Sequence, residues 1–133
     1  MKKSLKVKSI VDGRATGDVL FTPSPIAFLQ GVDPEKGVVS DQSNQIYNIP
    51  FKGKILVFPH AVGSSVGAYV IYRMKKKGTA PKAIVNQKVD IITASGCAIA
   101  GIPLFDLGDN EMSSLSQVHR LRLDSKKSEL RIL

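Results

Sequence analysis

Ile55-Leu56-Val57-Phe58 is an unbroken apolar run stopped by Pro59. Such a run suits a strand covered on both faces, because a half-exposed strand would alternate apolar with polar residues. Gly63-Ser64-Ser65-Val66-Gly67 follows within a few residues, and the spacing predicts a helix from about Ser65 to Lys77. Val66, Tyr69, Val70 and Met74 fall on one helical face, which is the face expected to be buried. Arg73, Lys75, Lys76 and Lys77 occupy the last turns, where cations favour the helix dipole. Gly78 is placed to end the helix in a left-handed conformation, with Pro81 just beyond. A doubly covered strand that turns directly into a helix requires layers on both sides of a sheet.

The rest of the chain supplies those layers. Leu5 to Ile10 begins with strand-like alternation, Asp12-Gly13 signals a turn, and Gly17 to Phe21 reads as the returning strand. Pro23 and Pro25 interrupt the pattern, and Ile26 to Leu29 resumes it. Residues 31–37 read as a loop and Val38-Val39 as a short strand. Residues 40–54 read as irregular, with one apolar knot at Ile46, Tyr47 and Ile49. Ala83 to Val85 and Ile91 to Thr93 read as strands. Small residues from Ala94 to Ile102 suggest a short, tightly packed helix. Ser114 to Leu123 and Leu130 to Ile132 offer the final strands. The expectation is a mixed α/β domain over residues 1–133, rich in strands, with two main helices and no regular βαβ alternation.

At 133 residues the chain has the size of one domain, and 43% hydrophobic residues suffice for a core. With five Phe, three Tyr and no Trp, aliphatic side chains must fill it. The 19 Lys and Arg against 11 Asp and Glu leave a net charge of +8, which bears on partners rather than on fold. Nucleic acid, an anionic metabolite or an acidic partner protein would suit it. The basic residues Lys2, Lys3, Lys6, Lys8, Lys75 to Lys77, Lys126 and Lys127 are scattered. They lack the interleaved aromatics of a single-strand nucleic-acid platform, so most read as solvated surface and no nucleic acid is expected. Cys97 is the single cysteine, so no intrachain disulfide forms and a reducing compartment fits. No apolar stretch follows Met1-Lys2-Lys3, and no run nears the roughly 18 residues of a membrane span. The chain is expected in the cytoplasm, away from membranes.

Chemistry concentrates in the turn at 63–67. Glycines admit a ligand close to the backbone, and Ser64 or Ser65 would cap the helix. The first N–H groups of a helix lack internal partners and the dipole favours negative charge there. The turn is therefore an anion site carrying two hydroxyls, or only a capped helix start. It fails as a phosphate-binding loop because Ala68-Tyr69 stands where Lys-Ser/Thr is needed, and Gly-x-Gly-x-x-Gly fails on spacing. It does match Gly-x-Ser-x-Gly, the nucleophile elbow, with Ser65 as nucleophile and Asp106 or Asp109 and His119 following in hydrolase order. A chain of this length is short for the hydrolase sheet, and no oxyanion segment is evident. His60 is a candidate base or a surface histidine. Arg14 in the Gly13-Arg14-Ala15 turn could clamp a carboxylate or phosphate, or simply be solvated. Cys97, His60 and His119 show no metal-ligand spacing, and Cys97 reads as a small core residue.

Several separate blocks, in order, resemble the swivelling-domain small-subunit family of aconitase X. They are Gly31-Val32-Asp33 with Gly37-Val38, Ile55 to Pro59, and Gly63-Ser64-Ser65-Val66-Gly67-Ala68-Tyr69-Val70. Lys77-Gly78, Ala80-Pro81-Lys82-Ala83-Ile84, Gly101-Ile102-Pro103-Leu104 and Gly13-Arg14 complete the match, which runs from about residue 5 to 107. The resemblance implies a swivelling β/β/α fold and a heterodimer with a larger aconitase-like subunit that holds a [4Fe-4S] cluster, no cofactor being bound by this chain. It implies a hydro-lyase acting on an anionic small molecule, dehydrating (R)-mevalonate 5-phosphate to trans-anhydromevalonate 5-phosphate in an archaeal route to isoprenoids. It places the general base at Ser64, with Gly63, Ser65, Val66, Gly67 and Arg14 in substrate binding. His60-Ala61-Val62, Cys97 and the stretch 117–123 depart from the family pattern. The alternatives are a dehydratase of another hydroxy acid, such as a hydroxyproline derivative, a small serine hydrolase using Ser65, or a basic module binding RNA or an anionic metabolite.

Overall fold

The computed structural model describes residues 3–133, which leaves Lys2 of the expected basic surface outside it. The strands are β1 (Ser4–Lys6), β2 (Lys8–Val11), β3 (Arg14–Phe21), β4 (Val32–Asp33), β5 (Val38–Val39), β6 (Lys54–Phe58), β7 (Ala83–Asn86), β8 (Leu104–Asp106), β9 (Arg120–Asp124) and β10 (Glu129–Ile132). The helices are α1 (Phe28–Gly31), α2 (Gly67–Lys77) and α3 (Ile91–Ala100). Eight strands form one sheet in the order β1-β10-β9-β3-β6-β7-β8-β2, and β4 and β5 pair separately. β3, β6, β7 and β8 run parallel, while the outer strands pair antiparallel.

The two edge strands β1 and β2 are consecutive in the chain, separated only by Val7. Two peptide steps of about 3.8 Å cannot span a flat eight-stranded sheet. The sheet therefore curls until its edges meet, and β1, β10 and β9 form a second layer over the parallel strands. The side chains of β6 follow this geometry. Ile55 and Val57 enter the space between the β layers beside Leu5, Phe105, Leu121 and Leu130. Leu56 and Phe58 point the other way, beneath Ile71 and Met74 of α2 and Cys97 of α3. This is the three-layer β/β/α arrangement, and it explains the unbroken apolar run: both faces of β6 are roofed, and Ile55 to Phe58 are fully buried.

Five local expectations differ from the fold, one being the loop at 31–37, where Val32–Asp33 pairs with β5 as strand β4. The segment 5–10 is two strands broken at Val7, because the chain must pass there from one sheet edge to the other. Residues 26–29 are a single bridge at Ile26 followed by α1 rather than a strand. Ile91 to Thr93 open α3 instead of forming a strand, so residues 54–106 do run β6-α2-β7-α3-β8. The Asp90 carboxylate caps this helix by accepting the Thr93 N–H, and the cap outweighs the strand preference of Ile91-Ile92-Thr93. Of the stretch 114–123, only Arg120 onward is strand; a 3-10 turn occupies Met112–Leu115.

The buried face of α2 also differs. Gly67, Ala68, Ile71 and Met74 face inward, whereas Val66 and Tyr69 are exposed and Val70 is half-buried. The cause is the close approach of α3: a Cβ at Gly96 would lie 3.0 Å from the Ala68 carbonyl oxygen. Only small residues fit that seam, so the larger Val66 and Tyr69 are turned outward.

Candidate active site

The turn lies at the C-terminal ends of β6 and β7, the end of a parallel sheet where open α/β folds place ligands. Pro59 ends β6, and residues 60–62 are held beside residue 26: Ile26 N–H donates to the His60 carbonyl and Val62 N–H to the Ile26 carbonyl, at 3.3 and 3.0 Å. The segment carrying Ile26 is itself fixed through fully buried Thr22, whose hydroxyl donates to Asn44 Oδ1 at 2.9 Å. On the other flank, Asn86 Nδ2 donates to the Phe58 carbonyl at 3.1 Å, closing the end of the β6–β7 ladder. Asn86 Oδ1 is buried with no donor in reach among the described residues, a cost on the order of 1–3 kcal/mol.

Gly63 then takes φ +89°, a left-handed conformation that favours glycine. Ser64, Ser65 and Val66 follow, all exposed. The Ser64 hydroxyl oxygen accepts the Val66 N–H at 3.1 Å, while the N–H groups of Gly67, Ala68 and Tyr69 donate to the carbonyls of Ser64, Ser65 and Val66. The first turn of α2 is thus already satisfied, contrary to the expectation that its N–H groups are free. The free donors sit one step earlier: among the described residues, the N–H groups of Gly63, Ser64 and Ser65 have no partner within the chain. Three successive unpartnered backbone donors beside a left-handed glycine are groups of the kind that can receive an anion. Gly67 closes the turn against the core, where a Cβ would meet Phe28 Cβ at 3.2 Å and Ile92 Cγ2 at 3.3 Å.

The sequence-nominated residues fall into two groups. Gly63, Ser64, Ser65, Val66 and Gly67 are together, with exposed His60 close by in the chain. The His60 Nδ1 lies 3.1 Å from the Ala61 carbonyl oxygen, a hydrogen bond when Nδ1 carries the proton. Arg14 is not brought to the turn. β3 runs parallel to β6 with Asp18 opposite Lys54, so Arg14 lies beyond the N-terminal end of β6, at the far end of the sheet. It is 3.9 Å from Asp124 and largely solvated.

The same register separates the residues of the hydrolase alternative. The His119 carbonyl accepts the Val19 N–H, and Val19 pairs with Ile55, placing His119 beside the start of β6. Ser65 follows the end of β6, and the Asp106 carboxylate is occupied by the N–H groups of Val89 and Gly108. Ser65, Asp106 and His119 therefore form no triad.

One contributor escaped the sequence reading. Asp90 reaches from the start of α3 to the Ala61 N–H, 2.7 Å away. The only advance signal was an Asp three residues before Thr93, an N-cap pattern hidden by the strand-like residues between them.

A curled β/β/α sheet with a serine-bearing turn at the C-terminal end of its central strand defines a swivelling domain. The chain belongs to the aconitase X swivel domain family, which matches residues 4–132. It is 42% identical over 129 residues to the phosphomevalonate dehydratase small subunit of Thermococcus gammatolerans, covering 97% of each chain. It is 44% identical to the protein of that name from Thermococcus kodakarensis, covering 97% of this chain and 96% of that one. The crystal structure of Thermococcus kodakaraensis aconitase X in its holo-form superposes with a TM-score of 0.88 at 42% identity, covering 98% of both chains.

Proposed function

We propose that this chain is the small subunit of a heterodimeric hydro-lyase that dehydrates (R)-mevalonate 5-phosphate to trans-anhydromevalonate 5-phosphate, with Ser64 as the base. What carries the reading is the 42–44% identity, along almost the whole chain, to proteins named phosphomevalonate dehydratase small subunit. The geometry of the turn is compatible with the chemistry. Dehydration beside a carboxylate breaks a C–H bond next to the carboxyl group, and its electron pair becomes the double bond as the neighbouring C–OH bond breaks. The proton passes to Ser64 Oγ. Serine is a poor base in water, so its alkoxide needs stabilisation, and the Val66 N–H is aimed at that oxygen. Among the described residues no donor is aimed at Ser65 Oγ, and Ser65 is assigned to anion binding. The N–H groups of Gly63, Ser64 and Ser65 are suited to a carboxylate or phosphate of the substrate.

An iron–sulfur cluster on the larger subunit, also part of this proposal, supplies a Lewis acid for the departing hydroxyl. Among the described residues no group of three or more His, Cys, Asp or Glu is placed to hold a metal, and Cys97 is sealed in the core. On this reading the chain's own part in the reaction is proton abstraction and anion binding.

The test is co-expression with the larger subunit and anaerobic assay of mevalonate 5-phosphate dehydration. Ser64→Ala is expected to lower kcat by on the order of 10²–10⁴-fold, and Ser65→Ala to retain most of it. An undiminished Ser64→Ala enzyme would sink the base assignment. Turnover by this chain alone would sink the subunit model.

A further inference from the structure

We propose that Asp90 is a positioning residue for the Ser64 turn, its carboxylate holding the chain segment that leads into Ser64 in register with the start of α3. This rests on the reading of Ser64 as the base.

Asp90 lies in the loop between β7 and α3, with extended backbone at φ −101° and ψ 167°. Its Oδ1 accepts the Thr93 N–H at 2.8 Å, which is ordinary helix capping. Its Oδ2 accepts the Thr93 hydroxyl at 2.9 Å. Capping needs nothing more. Yet Oδ2 also accepts the Ala61 N–H at 2.7 Å, the shortest of these contacts and a link across 29 positions of sequence. A charged acceptor makes such a bond roughly twice as strong as a neutral one.

Ala61 is the midpoint of the segment clamped to Ile26 through the His60 carbonyl and the Val62 N–H. Residues 60–62 are thereby gripped from both flanks, by the Ile26 backbone on one side and by Asp90 on the other. Downstream, Gly67 is wedged against Phe28 and Ile92. Residues 63–66 form a short arch with both feet fixed, and Ser64 stands in it. Asp90 is the charged member of the clamp and joins the upstream foot to the helix that carries Ile92, the downstream wedge. Displacement of a reacting group by about 1 Å is enough to cost on the order of 10²-fold in rate.

Asn at position 90 isolates this role. It remains a good N-cap, so its oxygen can keep the Thr93 N–H. Its amide is a donor, however, and would face the Ala61 N–H with no acceptor between them. Asp90→Asn in the assembled two-subunit enzyme is expected to lower kcat by on the order of 10–100-fold, with KM changed far less. In the same protein the Ala61 amide is expected to exchange with deuterium at least tenfold faster, while the amides inside α3 keep their protection. Thr93→Val removes the hydroxyl bond to Asp90 Oδ2 but leaves both the capping Thr93 N–H and the Ala61 link, and is expected to keep kcat within about twofold of wild type. A kcat for Asp90→Asn within twofold of wild type overturns the proposal, as does an equal loss in Thr93→Val, which would report only on the contact between Asp90 and the Thr93 side chain. Loss of protection throughout α3 overturns it too, by making Asp90 a general stabiliser. Ser64→Ala run alongside separates the failures. An active Ser64→Ala enzyme refutes the base assignment and this proposal with it, whereas a silent Asp90→Asn beside an inactive Ser64→Ala refutes this proposal alone.

Discussion

Cys97 of α3 is fully buried in the core that α3 shares with α2 and the sheet, and its thiol is pushed up to about 12, first by burial and then by the nearby charge of Asp90. The unfolded thiol ionises near 9.0. Below that pH both states hold the proton and the thiol's contribution to stability is whole. Between there and about 12 only the unfolded chain releases it, so stability falls as pH rises through that window. Urea unfolding at about pH 8 and about pH 10.5 should show this as a drop in midpoint that is smaller in Cys97→Ala. Equal drops in both proteins would refute it. The burial of Cys97 was legible because small apolar neighbours surround it in the sequence. The preference for Ser64 over Ser65 in the proposed function came from the resemblance alone. Either can cap a helix, and it takes the coordinates to show the Val66 N–H directed at Ser64 Oγ. The bond from Asp90 to Ala61 was not legible at all, since nothing local records a contact between loops that meet only after β6 and β7 have paired.

The strand-to-helix unit at 55–77 was readable because its signals are local: a run of apolar residues, a proline stop, a Gly/Ser turn and a basic helix end closed by Gly78 at φ +76°. α3 was not. Ile91, Ile92 and Thr93 are β-branched and prefer strands, and what overrides them is the Asp90 cap together with a seam of small residues against α2. That seam makes a prediction at the scale of the element. A Cβ at Gly96 would stand 2.7 Å from Ile71 Cδ1, 2.9 Å from Ile71 Cβ and 3.0 Å from the Ala68 carbonyl oxygen. Gly96→Ala should gain helix propensity yet lose about 1–3 kcal/mol of stability through overpacking. Adding Ile71→Val should recover only part of the loss, because it removes Cδ1 and leaves the other two contacts. Denaturant titration of the single and double variants measures both. A Gly96→Ala protein as stable as wild type would mean that the helices can move apart freely, and the inward turn of Gly67 and Ala68 would then need another cause.

At the scale of the whole molecule, the curled sheet has two unlike ends. At the N-terminal ends of the parallel strands lie Arg14, with its partner Asp124, and the Gly13 turn packed on Pro103. At the other end the Ser64 turn emerges within an apolar rim: Ile91 is 80% exposed, Tyr69 65%, and Leu29, Val62 and Val66 are also open. Leu29, Val66 and Tyr69 line one shallow groove of about 350 Å³ with Arg73 at its edge. The sequence hid this rim, because periodicity assigned Val66 and Tyr69 to the buried face. Large apolar side chains gathered around a polar turn are the pattern of a contact surface rather than of a wall facing water. On the proposed function that surface receives the larger subunit, so the serine is delivered into a site completed from both chains. Tyr69→Glu and Ile91→Glu put this to the test. Neither side chain supports the fold, so each variant should melt within a few degrees of wild type. Each should weaken association with the larger subunit by on the order of 30-fold or more, since burying an unpaired carboxylate at the centre of an interface costs at least about 2 kcal/mol. Titration calorimetry of the two purified subunits reads the affinity directly. Wild-type affinity in both variants would move the interface to another face, and the Ser64 turn could then not lie between the two chains.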